Sequence, residues 1–298
     1  MQVAIVTHDG RARAYRTRAL LDRLDRRGVR WVLLSPEQTV MHVRRGAVQF
    51  LDGAGRPVVA DVVLNALYLA SGHGLEIIEA FEAAGIPVVN PAAAWRMAKT
   101  KALASVAFAL HRVPHPETVC SPGAPAAVGR LAWRELNSPM VYKPWRGTMG
   151  AGVTLLTRPR SVAGALARLA RRGAPVYLQR FVHNPGRDIR VMVVGDEAIG
   201  ATYRIARRGR WKTNVAAGGI PAPCPVTPDL SAISLAAAKS VGLDIAGVDV
   251  IEGPEGLEIL EVNAWPNYER FDRVAGVDVA DRIAALLIRR SSGDDSSA

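Results

Sequence analysis

A lysine at the end of an apolar run leads into a loop that is rich in glycine. Lys143 ends the segment 140–143, and Gly147, Gly150 and Gly152 follow within ten residues. Glycine allows backbone N–H groups to turn toward an anion, and the lysine ammonium adds a point charge for a phosphate oxygen. No Gly-Lys-Ser/Thr sequence follows, so the loop is not a Walker A motif. The stretch predicts phosphate binding, with a plain glycine hairpin as the alternative.

Three oxygen-bearing side chains lie in two apolar segments farther along the chain. Asp249 is in the segment 246–251, and Glu261 and Asn263 are in the segment 258–263. Glu261 and Asn263 are two residues apart, so on a strand they point to the same face. The neighbouring Val, Ile and Leu residues predict burial, and a buried carboxylate needs a partner. The group therefore favours a Mg²⁺ site that shares nucleotide phosphates over a solvated edge strand.

The segment between these two motifs carries residues suited to a nucleotide. Gln179, Arg180 and Phe181 could form a hinge strand whose backbone edge contacts an adenine. Asp188 could accept a ribose hydroxyl, and Arg190 could hold a carboxylate or a transferring phosphoryl group. A surface ion pair is the alternative for the Asp-x-Arg sequence.

A basic segment precedes the paired glycines at 218–219. We predict that Arg204, Lys212 and Asn214 in this segment are further phosphate contacts. The chain has 33 Arg and only five Lys. The alternative is that the segment is a basic loop without a phosphate-binding role, produced by drift toward arginine in an Arg-rich chain. A retained Lys, however, indicates that a compact ammonium group is needed at that position.

The composition excludes several classes of protein. The chain has 298 residues, of which 49% are hydrophobic, so a collagen-like or wholly disordered chain is excluded. The net charge of +11 favours an anionic partner. Cys120 and Cys224 have no C-x-x-C spacing, so we expect neither a disulfide scaffold nor a zinc site. There is no signal peptide and no apolar run of about 18 residues, so we expect a cytoplasmic protein without a membrane segment.

Apolar periodicity predicts a chain of alternating strands and helices. Over residues 1–92, strands at 3–7, 29–34, 58–67 and 86–89 alternate with helices at 16–27 and 74–84. This alternation indicates a small parallel α/β domain. The remaining helices are predicted at 92–110, 161–172, 231–241 and 278–288. The remaining strands are predicted at 140–143, 152–157, 176–182, 188–194, 198–206, 246–251 and 258–263.

The order of these motifs resembles the ATP-grasp superfamily and, within it, the RimK-like carboxylate–amine ligases. The resemblance runs from residue 3 to about residue 288. It rests on Lys143 with the loop 147–153, and on the segments 188–190, 194–197, 214–219, 247–249, 261–264 and 275–280. Arg180 departs from the family, which usually has an acidic residue there. Two further departures, at 216–217 and 265–267, lie where the amine substrate should approach.

The resemblance implies an α/β fold of the α+β ATP-grasp type with three domains. These are a parallel α/β domain at 1–92, a central lid domain at 93–182 and a C-terminal ATP-grasp domain at 183–290, with a disordered tail at 291–298. ATP is expected between the last two domains, with two Mg²⁺ ions, or Mn²⁺, on Asp249, Glu261 and Asn263. The expected nucleotide contacts are Lys101, Lys143, Gly147, Thr148, Gly150, Gly152, Gln179, Arg180, Phe181, Asp188, Lys212 and Asn214.

The implied reaction joins a carboxylate to an amine. The carboxylate attacks ATP to give an acyl phosphate, and the amine then displaces phosphate. Arg190 and Arg204 are expected to contact the acyl phosphate as the catalytic residues. Because acyl phosphates hydrolyse, the central domain around residues 147–152 is expected to close as a lid.

The leading hypothesis is an amino-acid ligase that adds, for example, glutamate to an acidic peptide, protein tail or cofactor. A LysX-like ligase acting on an amino-group carrier protein and a ligase of coenzyme biosynthesis are alternatives. A basic nucleic-acid-binding protein is disfavoured, because the Arg residues are scattered and no nucleic-acid motif is present. The presence of Asp249, Glu261 and Asn263 disfavours a scaffold protein that binds nucleotide without turning it over. Relatives of this kind are often homo-oligomers, although the sequence shows no subunit interface.

Overall fold

The computed structural model describes residues 1–8, 14–68, 74–136, 139–145, 147, 150–213 and 218–293. Its strands are β1 (Gln2–Val6), β2 (Arg30–Leu34), β3 (Val40–Arg44), β4 (Ala47–Leu51), β5 (Pro57–Val58), β6 (Val62–Asn65), β7 (Val88–Val89), β8 (Thr118–Ser121), β9 (Met140–Tyr142), β10 (Thr154–Leu156), β11 (Val176–Arg180), β12 (Arg187–Val194), β13 (Glu197–Ile205), β14 (Ile220–Cys224), β15 (Ile245–Gly253) and β16 (Gly256–Asn263). Its helices are α1 (Tyr15–Arg26), α2 (Leu75–Ala83), α3 (Ala92–Lys99), α4 (Lys101–Leu110), α5 (Ala126–Leu136), α6 (Pro159–Arg171), α7 (Pro228–Ser240), α8 (Glu269–Ala275) and α9 (Val279–Ser291).

The first part of the chain forms the parallel sheet that the alternation predicted. Its strand order is β2-β1-β6-β7, and all the pairings are parallel. A small antiparallel sheet, β3-β4-β5, is inserted between β2 and β6 and was not predicted. Every residue of β3 is exposed, so this strand lacks the alternation of apolar and polar residues by which a half-buried strand is recognised.

Two antiparallel sheets follow. The central sheet has the order β10-β9-β11-β8, and helices α5 and α6 pack near it. The large sheet has the order β14-β13-β12-β15-β16. Strands β12, β13, β15 and β16 carry Asp188, Arg190, Arg204, Asp249 and Glu261, Gln179 lies on β11, and Lys143 directly follows β9.

Three hydrophobic cores hold these sheets. The first two cores each combine residues before position 114 with residues after position 188. The third core draws only on residues 119–178. We call residues 118–180 the central unit. We call the first sheet, the large sheet and helices α1–α4 and α7–α9 the base.

The helix predicted at 92–110 is two helices in the structure. Thr100 ends α3 and precedes α4 with extended backbone angles, φ −108° and ψ 103°. Thr100 makes no side-chain capping hydrogen bond, so the break reflects the extended backbone at this residue, which a β-branched side chain favours. The break makes Lys101 the first residue of α4, where the Lys101 backbone N–H lies 3.4 Å from the Trp145 carbonyl.

Two further observations concern the whole of the described chain. Within the ranges given above, no helix combines the length and the apolar character that crossing a membrane requires. Ser291, the first residue of the predicted tail, lies in α9, while residues 294–298 are outside the described part of the chain.

Candidate functional site

A cleft with about 970 Å³ of empty space lies between the central sheet and the large sheet. Many of the predicted site residues line it: Lys101, Lys143, Gly147, Gly150, Gln179, Arg180, Phe181, Asp188, Arg204, Lys212, Asp249 and Glu261. Arg190, Gly152 and Asn263 are not among the lining residues. Thr148 and Asn214 lie outside the described residues. The strands thus bring together side chains that are up to 160 positions apart in sequence.

A network of ion pairs forms the floor of the cleft. Arg204 donates from Nε to Asp188 Oδ1 at 2.6 Å and from Nη2 to Asp188 Oδ2 at 2.7 Å. Arg204 Nη2 also lies 3.0 Å from Asp249 Oδ2, and Arg190 Nε donates to Asp249 Oδ1 at 2.5 Å. The strand register explains the network, because Asp188 is opposite Arg204 and Arg190 is opposite Asp249. Thr213, which the sequence analysis did not include, donates its hydroxyl to Asp188.

The charge of Asp249 is stabilised by its two guanidinium partners. Burial by itself raises the pKa of Asp249, but Arg190 and Arg204 outweigh it and hold the pKa below its usual value. The same carboxylates raise the pKa of Arg204 in spite of its burial. Asp249 and Arg204 are therefore charged over the physiological pH range.

Glu261 and Asn263 lie on the strand next to Asp249. Asp249 is opposite Glu261, and Gly247 is opposite Asn263, so the three predicted metal ligands share one face of the large sheet. Glu261 Oε2 is 3.5 Å from Lys101 Nζ at the start of α4. Asn263 donates from Nδ2 to the Gly247 carbonyl at 3.3 Å.

Lys143 lies at the end of β9 and faces the same carboxylates. Burial lowers the pKa of Lys143 to about 8, although Glu261 and Asp249 counteract the shift. A second cation, Lys101, also lowers the pKa. An incoming phosphate would offset the burial and favour the charged ammonium.

The glycine-rich loop is held from both sides by lysines. Lys101 Nζ donates to the Gly147 carbonyl at 3.3 Å, and Lys212 Nζ donates to the Gly150 carbonyl at 3.4 Å. Gly152 has φ +73°, and a Cβ there would lie 2.8 Å from Cγ of Pro144. Only glycine fits this position without strain. Gly147 and Gly150 therefore line the cleft, and the carbonyl of each accepts a hydrogen bond from a lysine of the base.

The side chain of Gln179 is directed into the central unit. It is 2% exposed and donates from Nε2 to the hydroxyls of Tyr177 at 3.1 Å and Thr118 at 3.2 Å. Phe181 follows in the hinge, and its ring lies 6.3 Å from the ring of Trp211, edge to face. Trp211 lines the cleft and was not predicted, although it stands beside Lys212 in the basic segment. The apolar lining residues Val141, Val153, Ile251 and Leu260 were not predicted either, because nothing distinguishes them locally from core residues.

Asp249, Glu261 and Asn263 are the oxygen ligands that this site offers to a divalent cation. Among the residues that the structure describes, no group of three or more His, Cys, Asp or Glu side chains is suitably placed to hold a metal ion. Asp249 and Glu261 do share a sheet face with the Asn263 amide, and all three offer hard oxygen atoms. Two carboxylates and an amide suit Mg²⁺ when water and nucleotide phosphates complete its coordination. The donor set therefore fits a cation that arrives together with a nucleotide.

The charge around the glycine-rich loop suits a polyphosphate. Counting only the described residues, four cationic side chains line this end of the cleft and a fifth, Arg190, adjoins it through Asp249; they meet three carboxylates: Lys101, Lys143, Arg190, Arg204 and Lys212 with Asp188, Asp249 and Glu261. The excess of two positive charges in a partly enclosed site attracts anions. Three of the predicted phosphate contacts, Lys101, Lys143 and Lys212, thus meet two of the predicted metal ligands, Asp249 and Glu261, in one place.

Comparisons with known proteins agree with this arrangement. The chain matches the family model of the RimK-like ATP-grasp domain over residues 98–287. A protein named "Tetrahydromethanopterin:alpha-L-glutamate ligase" from Methanococcus maripaludis is 35% identical over 222 residues, which cover 71% of this chain and 74% of that protein. A "Probable alpha-L-glutamate ligase" from Mannheimia succiniciproducens is 34% identical over 221 residues, which cover 74% of this chain and 73% of that protein.

A solved structure shows the same fold along the chain. The ATP-grasp ligase PsnB, solved in complex with a minimal precursor, Mg and ADP, superposes with a TM-score of 0.75. The match covers 97% of this chain and 98% of PsnB at 20% sequence identity, which supports the fold alone. The predicted fold class and family are confirmed. The chain belongs to the RimK-like ATP-grasp family and is an ADP-forming ligase that joins carboxylates to amines through a carbon–nitrogen bond.

Proposed function

We propose that this ligase works through an acyl phosphate and adds glutamate, or a similar amino acid, to an acidic acceptor. The observation that carries the proposal is the convergence of Lys101, Lys143 and the glycine-rich loop with Asp249 and Glu261 in one cleft. Such a site can hold a polyphosphate and a hard cation together.

The cleft offers different surroundings to the two ends of ATP. Phe181 and Trp211 form an aromatic wall beside the hinge, suited to a flat nucleobase. Lys101, Lys143 and Lys212 lie at the glycine-rich loop, where ammonium groups would bind phosphate oxygens. On binding, the two lysines that now contact loop carbonyls would exchange those neutral acceptors for charged ones.

In the first step an acceptor carboxylate oxygen attacks the γ-phosphorus, a new P–O bond forms and ADP leaves. The guanidinium groups of Arg190 and Arg204 are held by Asp249 and Asp188, so they are oriented before substrate binds. Oriented charges of this kind stabilise the negative charge that spreads over the transferring group. In the second step the amine attacks the acyl carbon, loses a proton, and phosphate leaves as the C–O bond breaks.

Asp249, Glu261 and Asn263 would hold Mg²⁺, as one ion or two. When bound, Mg²⁺ supplies charge neutralisation for the phosphate oxygens. The structural relative PsnB was solved with Mg and ADP, which supports this choice of ion. Glu261 already has a cationic partner, so loading the ion requires Lys101 to move toward the phosphates, while Arg190 and Arg204 stay on the carboxylates that orient them.

Two observations favour particular substrates. Both relatives described above carry glutamate in their names, which favours glutamate as the amine substrate. The net charge of +11 favours an acidic acceptor. The acceptor classes are an acidic peptide or protein tail, an amino-group carrier protein, and a pterin or deazaflavin coenzyme.

The test measures ADP and phosphate release from Mg-ATP with glutamate and other amino acids against each acceptor class. The wild-type enzyme is compared with Asp249→Asn and Glu261→Gln. Glu252→Gln is the matched control, because Glu252 forms an ion pair with Arg187 on the same sheet outside the cleft. We expect release that depends on one acceptor and falls at least about 100-fold in both site variants, as when charge stabilisation of a transition state is lost.

Two results would contradict the proposal. Absence of nucleotide binding in the wild-type enzyme would contradict the assignment of the cleft. Acceptor-dependent release that persists in Asp249→Asn and Glu261→Gln would contradict the assignment of these residues. Trapping with hydroxylamine tests the intermediate, since an acyl phosphate yields a hydroxamate of the acceptor.

A further inference from the structure

The chain enters and leaves the central unit at one place, beside strand β16. The incoming segment reaches Pro114, whose carbonyl accepts a hydrogen bond from the Ile259 backbone N–H at 2.8 Å. The outgoing segment begins at Arg180, whose Nη2 donates to Glu258 Oε1 at 2.6 Å. The two segments also contact each other, because the Arg180 backbone N–H donates to the Glu117 carbonyl at 2.8 Å. Neighbouring residues of β16 therefore hold both connections.

The ion pair between Arg180 and Glu258 is shielded from solvent on one side. The Glu258 side chain is 11% exposed and the Arg180 side chain is 31% exposed. Burial raises the pKa of Glu258, and Arg180 counteracts the shift. A partly buried ion pair is coupled more strongly than an exposed one, and removal of one partner leaves the other poorly solvated.

The outgoing segment also lies tightly against the turn that precedes Glu258. A Cβ on Gly253 would lie 2.8 Å from Val182 Cγ1 and 3.2 Å from Glu258 Oε2. Glycine at this position allows the segment and the carboxylate to approach the β15–β16 turn together. The position of residues 180–182 is therefore set by both packing and charge.

Residues 180–182 form one wall of the nucleotide cleft. We infer that Glu258 is a positioning residue for nucleotide binding, which acts by holding Arg180 and thereby fixing Phe181 and Val182 in the wall. This inference rests on the proposed function of the cleft. Glu258 was not among the predicted site residues. It does not line the cleft, so it would act on the nucleotide through Arg180.

A direct contact between the Arg180 guanidinium and the nucleotide is the competing explanation, and a charge swap separates the two. The variants are Glu258→Gln, Arg180→Gln, Arg180→Glu, and Arg180→Glu combined with Glu258→Arg. The control is Glu252→Gln, because Arg187 Nε donates to Glu252 Oε2 at a similar 2.6 Å within the base. The side chains of that pair are 35% and 29% exposed.

The measurements are the Kd of Mg-ADP by calorimetry and the KM for ATP and kcat by ADP release. We expect Glu258→Gln and Arg180→Gln to weaken nucleotide binding about tenfold, which is a free-energy change of about 1.4 kcal/mol. We expect the kcat of Glu258→Gln to change less than about twofold, because Glu258 does not line the cleft. The charge-swapped enzyme should recover to within about twofold of the wild-type affinity, and Glu252→Gln should match the wild type.

The outcomes distinguish failure of this inference from failure of the proposed function. If the wild-type enzyme does not bind Mg-ADP, the proposed function itself fails. If the wild type binds and Glu258→Gln binds equally well, the positioning role is wrong. A charge-swapped enzyme as weak as Arg180→Glu would also overturn it in favour of direct contact. Thermal unfolding of each variant verifies that affinity is compared between folded proteins.

Discussion

The base and the central unit are held together in different ways. In the base, residues from the first 113 positions and residues beyond 188 share two hydrophobic cores. Helices α1 and α9 are also joined by ion pairs, with Arg23 to Asp278 and Arg27 to Asp281 both at 2.7 Å. The central unit has a core of its own within residues 119–178. The difference indicates that the two ends of the chain fold as one body and that the central unit is a separable one.

This arrangement suits a reaction that must exclude water. The carboxylates and arginines lie on the base, while Lys143 and the glycine-rich loop belong to the central unit. We propose that the central unit moves relative to the base to admit nucleotide and then encloses it.

The first prediction concerns Asn90, whose side chain connects the first sheet to the large sheet. Its Nδ2 donates to the carbonyls of Ile245 and Ala264 at 2.8 and 2.7 Å, and its Oδ1 accepts from the N–H groups of Asp244 and Ile245. Asn90→Ala leaves these backbone groups without their partners. We expect a loss of about 3–5 kcal/mol in the free energy of unfolding, measured by urea denaturation.

Asn184→Ala is the control for this prediction. Asn184 also bonds to backbone at both ends of its amide, but only to Val182 and Gly186 within its own turn. Its replacement should cost less than about 1 kcal/mol. Equal losses in the two variants would show that Asn90 does not join the two parts of the base.

The second prediction tests whether the central unit unfolds separately. Leu178 is fully buried in the core of the central unit, and Ile283 is fully buried in a core of the base. Replacement of either by Ala should cost about 3 kcal/mol. In hydrogen exchange, Leu178→Ala should speed exchange only within residues 118–180, whereas Ile283→Ala should speed it in both ends of the chain. Uniform acceleration in Leu178→Ala would refute the separation.

The contrast between local and long-range contacts also explains what the sequence predicted. The motifs around Lys143 and Asp249 were recognisable because their chemistry lies within a few residues, and strands with apolar runs were recognisable by their pattern. The exposed strand β3 has no such pattern. The four bonds of Asn90 and the pair of Arg180 with Glu258 join positions 78 to 174 residues apart, so local spacing held no signal for them.

The third prediction concerns pH. Burial lowers the pKa of Lys143 to about 8 in the free protein, and only the charged ammonium binds phosphate well. Raising the pH from 7 to 9 removes this charge, so the affinity for Mg-ADP should fall about tenfold. In Lys143→Gln the affinity should be lower and independent of pH over this range. If the affinity of Lys143→Gln for Mg-ADP still falls between pH 7 and pH 9, another group is responsible for the pH dependence.

The last prediction concerns the contact between the base and the glycine-rich loop. Lys212 of the base donates to the Gly150 carbonyl at 3.4 Å, a long and partly exposed hydrogen bond. Lys212→Gln should therefore raise the KM for ATP only about threefold to fivefold, the scale of one hydrogen bond. Lys239→Gln is the control, because Lys239 pairs with Asp196 on the surface, where both side chains are about two-thirds exposed. If Lys212→Gln raises the KM for ATP more than Lys143→Gln does, then Lys212, rather than Lys143, makes the phosphate contact that holds the central unit against the base.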